Sequence, residues 1–312
     1  MLYGKEAARN EILSQVEEFE KRYNKKVVFG SVLGSISKGV ERYDSDYDSR
    51  FLYFDVTKQE IVRWDTHVHE GGVNEGQIHY CYIPGTPGYY VEGDSYRNSV
   101  LKHEAKDKGL FYDKIAFWEL TSFLGLLKYP ELDGAFSVGL YHTAAWTFNS
   151  PYCWDPYGIK ERISCLIDKM FVLEYEIQYY RNYILSMQNK DSVMLREYLY
   201  AAYYALAMEY CIKNNRFAPV YFKTLLSLCR NEELAKAVLK LEEDYYSFDL
   251  SEVESGNYER KMMAQRKTVR NDVIDGFLRQ IVDQTQNYEG KMPKSGTDYR
   301  GKVVEIILDA LN

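Results

Sequence analysis

The sequence predicts an α+β protein, in which a mixed sheet with flanking helices comes first and an all-α helical bundle follows. Short β-branched and aromatic runs separated by polar segments occupy the first part of the chain, whereas apolar residues at helical spacing dominate from residue 117 onward. Hydrophobic residues make up 46% of the chain and charged residues 27%, which is enough for a sizeable core. We place the boundary near residue 130, giving domains of residues 1–130 and 131–312.

The first domain is expected to begin with an amphipathic helix and to continue with strands. Ile12, Val16 and Phe19 recur at helical spacing within residues 5–23. Residues 27–29 and 50–54 are apolar runs typical of buried strands, and two more strand-like runs lie within 60–83. The 3.6-residue period then predicts helices over residues 117–127, 159–187, 193–213, 219–229, 232–246 and 302–311.

Composition and charge exclude several classes of protein. The chain has 39 Lys and Arg residues against 46 Asp and Glu residues, which gives a net charge of −7. This charge disfavours an extensive, sequence-independent interface with nucleic acid, but it is compatible with a local basic site. The N-terminus lacks the apolar core of a signal peptide, and no apolar run approaches the ~20 residues of a membrane-spanning helix. Five cysteines without C-x-x-C spacing fit a reducing cytoplasm.

The most informative stretch is residues 34–53. Asp46 and Asp48 open a predicted strand, and because alternate residues of a strand share a face, their carboxylates project side by side while Tyr47 points the other way. Adjacent carboxylates repel each other unless a cation lies between them, and oxygen ligands suit Mg²⁺ or Mn²⁺. Two such ions can clamp the oxygens of an in-line phosphoryl displacement. A solvated edge or a calcium loop is the alternative for this pair taken alone.

The residues before this pair predict a place for phosphate groups. Gly34 lacks a Cβ and so permits close approach, and a helix starting near Ser35 would direct N–H groups at a triphosphate. Lys38 adds a positive charge one turn later, and Gly39 permits the turn back towards the acids. A Gly-Ser pair at a strand end is by itself an ordinary turn. The order of strand, Gly-Ser, ten-residue spacer and Asp-x-Asp favours a catalytic site.

This stretch resembles the signature of nucleotidyltransferases of the DNA polymerase beta superfamily, and within it the RlaP type, which is associated with RNA repair. The motif of that group maps onto Gly34, Ser35, Gly39, Ser45, Asp46, Tyr47, Asp48 and Arg50. A looser similarity covers residues 120–130 and 196–219. The chain departs from the pattern at Ile36, where Arg is usual, and at Tyr203 and Tyr204, where the relatives carry Arg-Pro.

The resemblance implies a reaction and a set of site residues. An NMP would move from an NTP to a hydroxyl acceptor with release of pyrophosphate, and Ser45 would join the nucleotide site. Mg²⁺ would be held by Asp46, Asp48 and a third acid that takes the acceptor's proton. Asp113 is the first candidate for that acid and Glu119 the second, while a helix N-cap is the alternative role for Asp113.

The acceptor and the type of activity stay open at this point. The resemblance implies an RNA end, such as that of a tRNA, with contacts from Arg50, Arg196, Tyr198 and Tyr200, although helix packing is the alternative role for these tyrosines. One rival interpretation is a non-catalytic nucleotide- or RNA-binding protein on the same fold. Another is a nucleotidyltransferase that modifies a small hydroxylated molecule.

Two weaker patterns have simple alternatives. Four residues on a predicted hairpin have side chains that can bind zinc, although solvent-facing strand positions are the favoured explanation for them: His67, His69, His79 and Cys81. A basic run between residues 260 and 270 is either a solvated surface or a contact for an RNA backbone.

Overall fold

The computed structural model describes residues 5–41, 47–54, 89–91, 112–120, 142, 145–188, 190, 192–247, 267–268, 270–288 and 300–311. The chain divides into two compact units, one of Met1–Met170 with Ser295–Asn312 and the other of Phe171–Lys294. The predicted boundary near residue 130 falls inside the first unit, because a helix over Ile159–Lys169 packs against the sheet of that unit. No helix in the described part of the chain has both the length and the apolar character needed to cross a membrane.

The helices and strands follow one another along the chain in this order: α1 (Lys5–Tyr23), β1 (Lys26–Val32), α2 (Gly34–Lys38), β2 (Tyr47–Phe54), β3 (Tyr89–Val91), β4 (Tyr112–Glu119), β5 (Cys153–Trp154), α3 (Ile159–Lys169), α4 (Leu173–Gln188), β6 (Val193–Met194), α5 (Leu195–Asn214), α6 (Phe222–Ser227), α7 (Glu232–Tyr246), β7 (Lys267–Thr268), α8 (Asp272–Gln284) and α9 (Arg300–Leu311).

The first unit is built on a mixed five-stranded sheet with the order β3-β4-β2-β1-β5. Strand β2 lies at the centre, antiparallel to β1 and parallel to β4, while β3 and β5 pair antiparallel at the two edges. The predicted α+β class with a mixed sheet is therefore confirmed.

Helix α1 covers one face of this sheet. Its buried residues Ile12, Val16 and Phe19 are spaced so that they lie on one side of the helix, as the sequence predicted. They pack against Phe51 and Tyr53 of β2, which share a face because they are two residues apart. Asp48 and Arg50 therefore lie on the opposite face of β2.

Two predicted helices differ from the structure. Residues 117–119 belong to strand β4 rather than to a helix over 117–127, because their backbone continues the parallel pairing with β2 up to Glu119. The predicted helix over 159–187 is split into α3 and α4. Helix α3 ends at Lys169, and the N–H of its C-cap residue Met170 is shared between the carbonyls of Leu166 and Ile167. The second unit begins at the next residue.

In the second unit, α5 is the central helix and packs against α4, α6, α7 and α8. Small residues such as Ala201, Ala202 and Ala205 let the neighbouring helices approach closely. Tyrosine rings fill the contact between α4 and α5, with ring centroids 4.8 Å apart for Tyr183 and Tyr204 and 5.6 Å apart for Tyr180 and Tyr204. Edge-to-face and tilted ring pairs of this kind stabilise helix packing.

Buried tyrosines make the stability of the second unit sensitive to alkaline pH. Burial raises the pKa of Tyr180, Tyr203 and Tyr204 well above the usual value of a phenol. Since the neutral form is favoured only in the folded state, the stabilisation is complete below the unfolded-state pKa of about 10 and is lost as the pH rises above it. We expect the free energy of unfolding to fall above about pH 10, by up to about 1.4 kcal/mol per pH unit for each such tyrosine.

Urea unfolding at a series of pH values between about 9 and 11.5 measures this slope. Tyr203→Phe should make the decline shallower because one buried phenol no longer titrates. Tyr246→Phe serves as the matched control, since that ring is 40% exposed and the slope should stay as in the parent protein. Equal slopes in the two variants would contradict the prediction.

Candidate active site at the Gly34 bend

The chain bends sharply where β1 leads into α2. Gly34 starts the helix with φ +69°, and Gly39 ends the five-residue helix with φ +71°. Both angles are in the left-handed region that glycine adopts without steric cost. The N–H of Leu33 donates to the carbonyl of Asp48 at 2.9 Å, so the bend is held directly against the first residues of strand β2.

The side chain of Asp48 occupies the space that a Cβ on Gly34 would need. Oxygen Oδ2 of the half-buried carboxylate is the atom that such a Cβ would meet first. The close approach that Gly34 permits is therefore made in this structure by a carboxylate of the chain itself. A carboxylate oxygen of Asp48 consequently lies next to Gly34, the first residue of α2.

Lys38 places a positive charge beside the same bend. Its ammonium Nζ donates to the carbonyl of Gly34 at 3.1 Å and lies 4.4 Å from the centroid of the Trp146 ring, a cation–π distance. Ser37 Oγ donates to the same carbonyl at 3.0 Å. Lys38 and Ser35 are both 6% exposed, so the helix after the bend is packed into the unit.

Ile36 faces away from the bend. It is 2% exposed and lines a cavity on the α1 side of the sheet. The position at which the resembled motif usually carries Arg therefore contributes to apolar packing, and among the described residues Lys38 places a cation at Gly34.

Strand β4 brings Asp113 to the same end of the sheet as Asp48. The pairing runs from Tyr47 with Tyr112 to Ser49 with Ile115, so residues 113 and 114 lie opposite Asp48 at a bulge. Glu119 instead pairs with Tyr53, five residues along the strand, roughly 16 Å away at about 3.3 Å per residue. The register therefore brings Asp113, and not Glu119, close to Asp48 in the sheet, which favours Asp113 as the candidate for the third acid. The helix N-cap alternative for Asp113 is wrong, because this residue lies inside a strand.

Several predicted site residues lie outside the described residues. Asp46 and Ser45 are among them, and so is the proposed zinc cluster: His67, His69, His79 and Cys81. Of the three predicted acids, Asp48 is the one whose side chain is described. Within the described ranges, no three His, Cys, Asp or Glu side chains are grouped closely enough to hold a metal ion. The carboxylate of Asp48 nevertheless has the oxygen chemistry that Mg²⁺ prefers.

The segment that builds this bend also matches a known family. Residues 8–66 match RlaP, the RNA repair pathway DNA polymerase beta family. The matched segment contains most of α1 and all of β1, the bend at Gly34 and β2, and it confirms the resemblance that the motif indicates. No curated protein and no solved structure matches the chain.

Of the other residues assigned to the RlaP motif, Arg50 lies on the same face of β2 as Asp48. It is half-buried, and its backbone pairs with Ser31 of β1 and Ala116 of β4. Arg50 and Asp48 are two residues apart on the strand, so their side chains project to the same side of the sheet.

The residues predicted to contact the acceptor in the second unit have different environments. Arg196 is exposed, and its guanidinium lies 5.6 Å from the ring centroid of Tyr200. Tyr198 is buried, and its hydroxyl lies 2.9 Å from Oδ1 of Asp275 and accepts the N–H of Asn271 at 3.1 Å. Tyr198 thus joins α5 to the start of α8, as helix packing requires.

Arg270 completes this contact and belongs to the basic run. It forms an ion pair with Asp275 at 2.7 Å and donates to the carbonyls of Met187 and Lys190 at the end of α4. This guanidinium therefore caps α4, because the last carbonyls of a helix favour a cation.

Sequence analysis missed the role of Trp146. Its ring lies against Lys38 and packs on His142, with ring centroids 4.2 Å apart. No local pattern links Lys38 to a tryptophan more than a hundred residues later. Only the packing of residues 145–149 on the sheet brings them together, through the stacked rings of Phe29 and Phe148.

The contact between Gly34 and Asp48 predicts how much stability the protein loses when Gly34 is replaced by alanine. Gly34→Ala and Gly158→Ala both place alanine at a left-handed φ, +69° and +64°, which costs about 1–2 kcal/mol each. Only Gly34→Ala also forces the carboxylate of Asp48 to move, since the space at Gly158 is open. Urea unfolding should show a larger loss of stability for Gly34→Ala, and equal losses would contradict the contact.

Proposed function

We propose that the protein is a metal-dependent nucleotidyltransferase that moves an NMP from an NTP to a hydroxyl acceptor. The observation that carries this proposal is the carboxylate of Asp48 against the Gly34 bend, because it joins the acidic group and the predicted phosphate site. The match of residues 8–66 to RlaP supports the same class of activity.

The triphosphate binds at the bend in this proposal. Gly34, Ser35 and Gly39 shape the backbone around the phosphates, and Ser45 lies just before the acids. Lys38 supplies the positive charge, since its ammonium is held beside Gly34 by the carbonyl of that residue and by the Trp146 ring. Fixing a cation there in advance saves the ordering cost when a charged ligand binds.

Asp46, Asp48 and Asp113 would hold Mg²⁺ or Mn²⁺. When bound, such an ion neutralises charge on the phosphate oxygens during the displacement. The chain's own contribution is to bring the acids together. Parallel pairing of β2 and β4 places the backbones of Asp48 and Asp113 at one end of the sheet.

The transfer itself needs a base and a positioned acceptor. Asp113 takes the proton of the acceptor hydroxyl, whose oxygen then forms a bond to the α-phosphorus while the bond from that phosphorus to the pyrophosphate oxygen breaks. Pyrophosphate leaves with the electron pair. Holding the two reactants in line supplies much of the rate gain.

The acceptor in this proposal is an RNA end, such as that of a tRNA, encountered in the cytoplasm. The RNA repair pathway in the description of the matching family supports RNA. Arg50 and Arg196 would contact its phosphates and Tyr200 would support Arg196, since that guanidinium lies over its ring. Tyr198 would hold α5 in position through Asp275.

Replacing one carboxylate tests the activity. Asp48→Asn keeps the size of the side chain but removes its charge, so transfer of label from an α-³²P NTP to total cellular RNA with Mg²⁺ should fall. Stabilisation of several kcal/mol is lost with a metal ligand, and 1.36 kcal/mol corresponds to tenfold, so the loss should be at least about a hundredfold. Asp46→Asn should behave alike.

The matched control is Asp168→Asn, which makes the same change at an exposed position of α3 in the same unit. It should transfer label at the parental rate. A double Asp46→Asn, Asp48→Asn variant that still transfers label would refute the proposal. Binding of NTP without transfer to RNA or to small alcohols would favour a binding protein, and transfer to small alcohols alone would favour a small-molecule acceptor.

A further inference from the structure

A cavity of about 350 Å³ lies between α1 and the face of the sheet opposite Asp48. Leu13 of α1 and Ile36 of α2 line one side, and Phe51 and Trp154 of the sheet line the other. Its volume is at the small end of the range of roughly 300–1,000 Å³ in which proteins bind small molecules. None of the described residues that line it is charged, so this part of the wall suits a neutral ligand.

A buried hydroxyl faces this cavity without a hydrogen-bond partner among the described residues. Ser49 is 2% exposed, and its Oγ makes no hydrogen bond within the part of the chain that the structure describes. Because Ser49 and Phe51 alternate onto the same face of β2, the hydroxyl points to the cavity side. Leaving such a group unpaired costs about 1–3 kcal/mol. A ligand with a hydrogen-bonding edge would recover that cost.

Two aromatic rings form part of the sheet side of the cavity. Phe51 and Trp154 meet edge to face with centroids 6.1 Å apart, and the edge of the Phe51 ring lies over Gly30, where a Cβ would otherwise project. Because Gly30 has no side chain, the ring of Phe51 can lie directly against its backbone. Aromatic walls favour planar ligands through offset stacking and edge contacts.

We propose that this cavity binds a neutral heteroaromatic molecule of one or two rings, whose polar edge pairs with the hydroxyl of Ser49. The ring lies against Phe51 and Trp154, and the aliphatic side chains of Leu13 and Ile36 cover its other side. This site is separate from the bend at Gly34, so it stands whether or not the chain transfers nucleotides.

Labelling with 5-fluorotryptophan gives a fluorine NMR signal at each of the two sites. Trp154 reports on the cavity and Trp146, next to Lys38, reports on the bend. Trp154→Phe and Trp146→Phe assign the two signals. Benzimidazole, at a pH at which it is uncharged, is the probe, and indene is its apolar analogue without nitrogen.

Titration with benzimidazole should shift the Trp154 signal saturably and leave the Trp146 signal in place. Ser49→Ala should weaken this binding by roughly two- to tenfold without lowering the stability of the free protein. Ser164→Ala, at an exposed position of α3, is the control and should bind as the parent does. Leu13→Phe, which fills the cavity, should abolish the shift.

Three results would overturn the proposal: an unaffected Trp154 signal, which means that water alone pairs with Ser49; equal affinity for indene; or unchanged affinity in Ser49→Ala. Titration with Mg²⁺ and a non-hydrolysable NTP tests the other site in the same sample. If Mg²⁺ and the NTP shift the Trp146 signal but not the Trp154 signal, the nucleotide site is supported. The benzimidazole titration then decides separately whether the cavity binds a ligand.

Discussion

The absence of one side-chain carbon at Gly34 determines how the first unit can be built. The chain leaves β1 through a left-handed residue, and the carboxylate of Asp48 fills the space beside that residue. The bond from Leu33 N–H to the Asp48 carbonyl holds the same contact from the backbone. Any larger residue would force the carboxylate to move and would strain the left-handed backbone, so one contact sets the local fold of the bend.

The central strand β2 presents a different chemistry on each face. Asp48 and Arg50 project to one side, whereas Ser49 and Phe51 project to the other, where α1 and the cavity lie. Because the side-chain period of a strand is two, a register shift by one residue would exchange the two faces completely. Burial of Phe51 and Tyr53 against α1 therefore also fixes the direction of Asp48.

Features that depend on neighbouring residues could be predicted from the sequence, and features that depend on distant ones could not. The bounds of α1, the burial of Ile12 and Phe19 and the glycine bend follow from local spacing and from the conformational freedom of glycine. The pairing of β4 with β2 decided whether residues 117–119 form a strand, and such pairing carries no local signal. The contact of Lys38 with Trp146 was likewise invisible, since packing alone joins them.

The chain has Ile36 where the motif it resembles usually has Arg, and this difference has a physical explanation in the arrangement of α2. Ile36 projects into a cavity without charged lining, where an unpaired guanidinium would cost several kcal/mol. Lys38, two residues later, has its ammonium beside the carbonyl of Gly34 and the ring of Trp146. Helix α2 thus directs an apolar residue to the core side and a cation to the bend. A cation at position 36 would face the core, whereas a cation at position 38 reaches the bend, as the contact of the Lys38 ammonium with the Gly34 carbonyl shows.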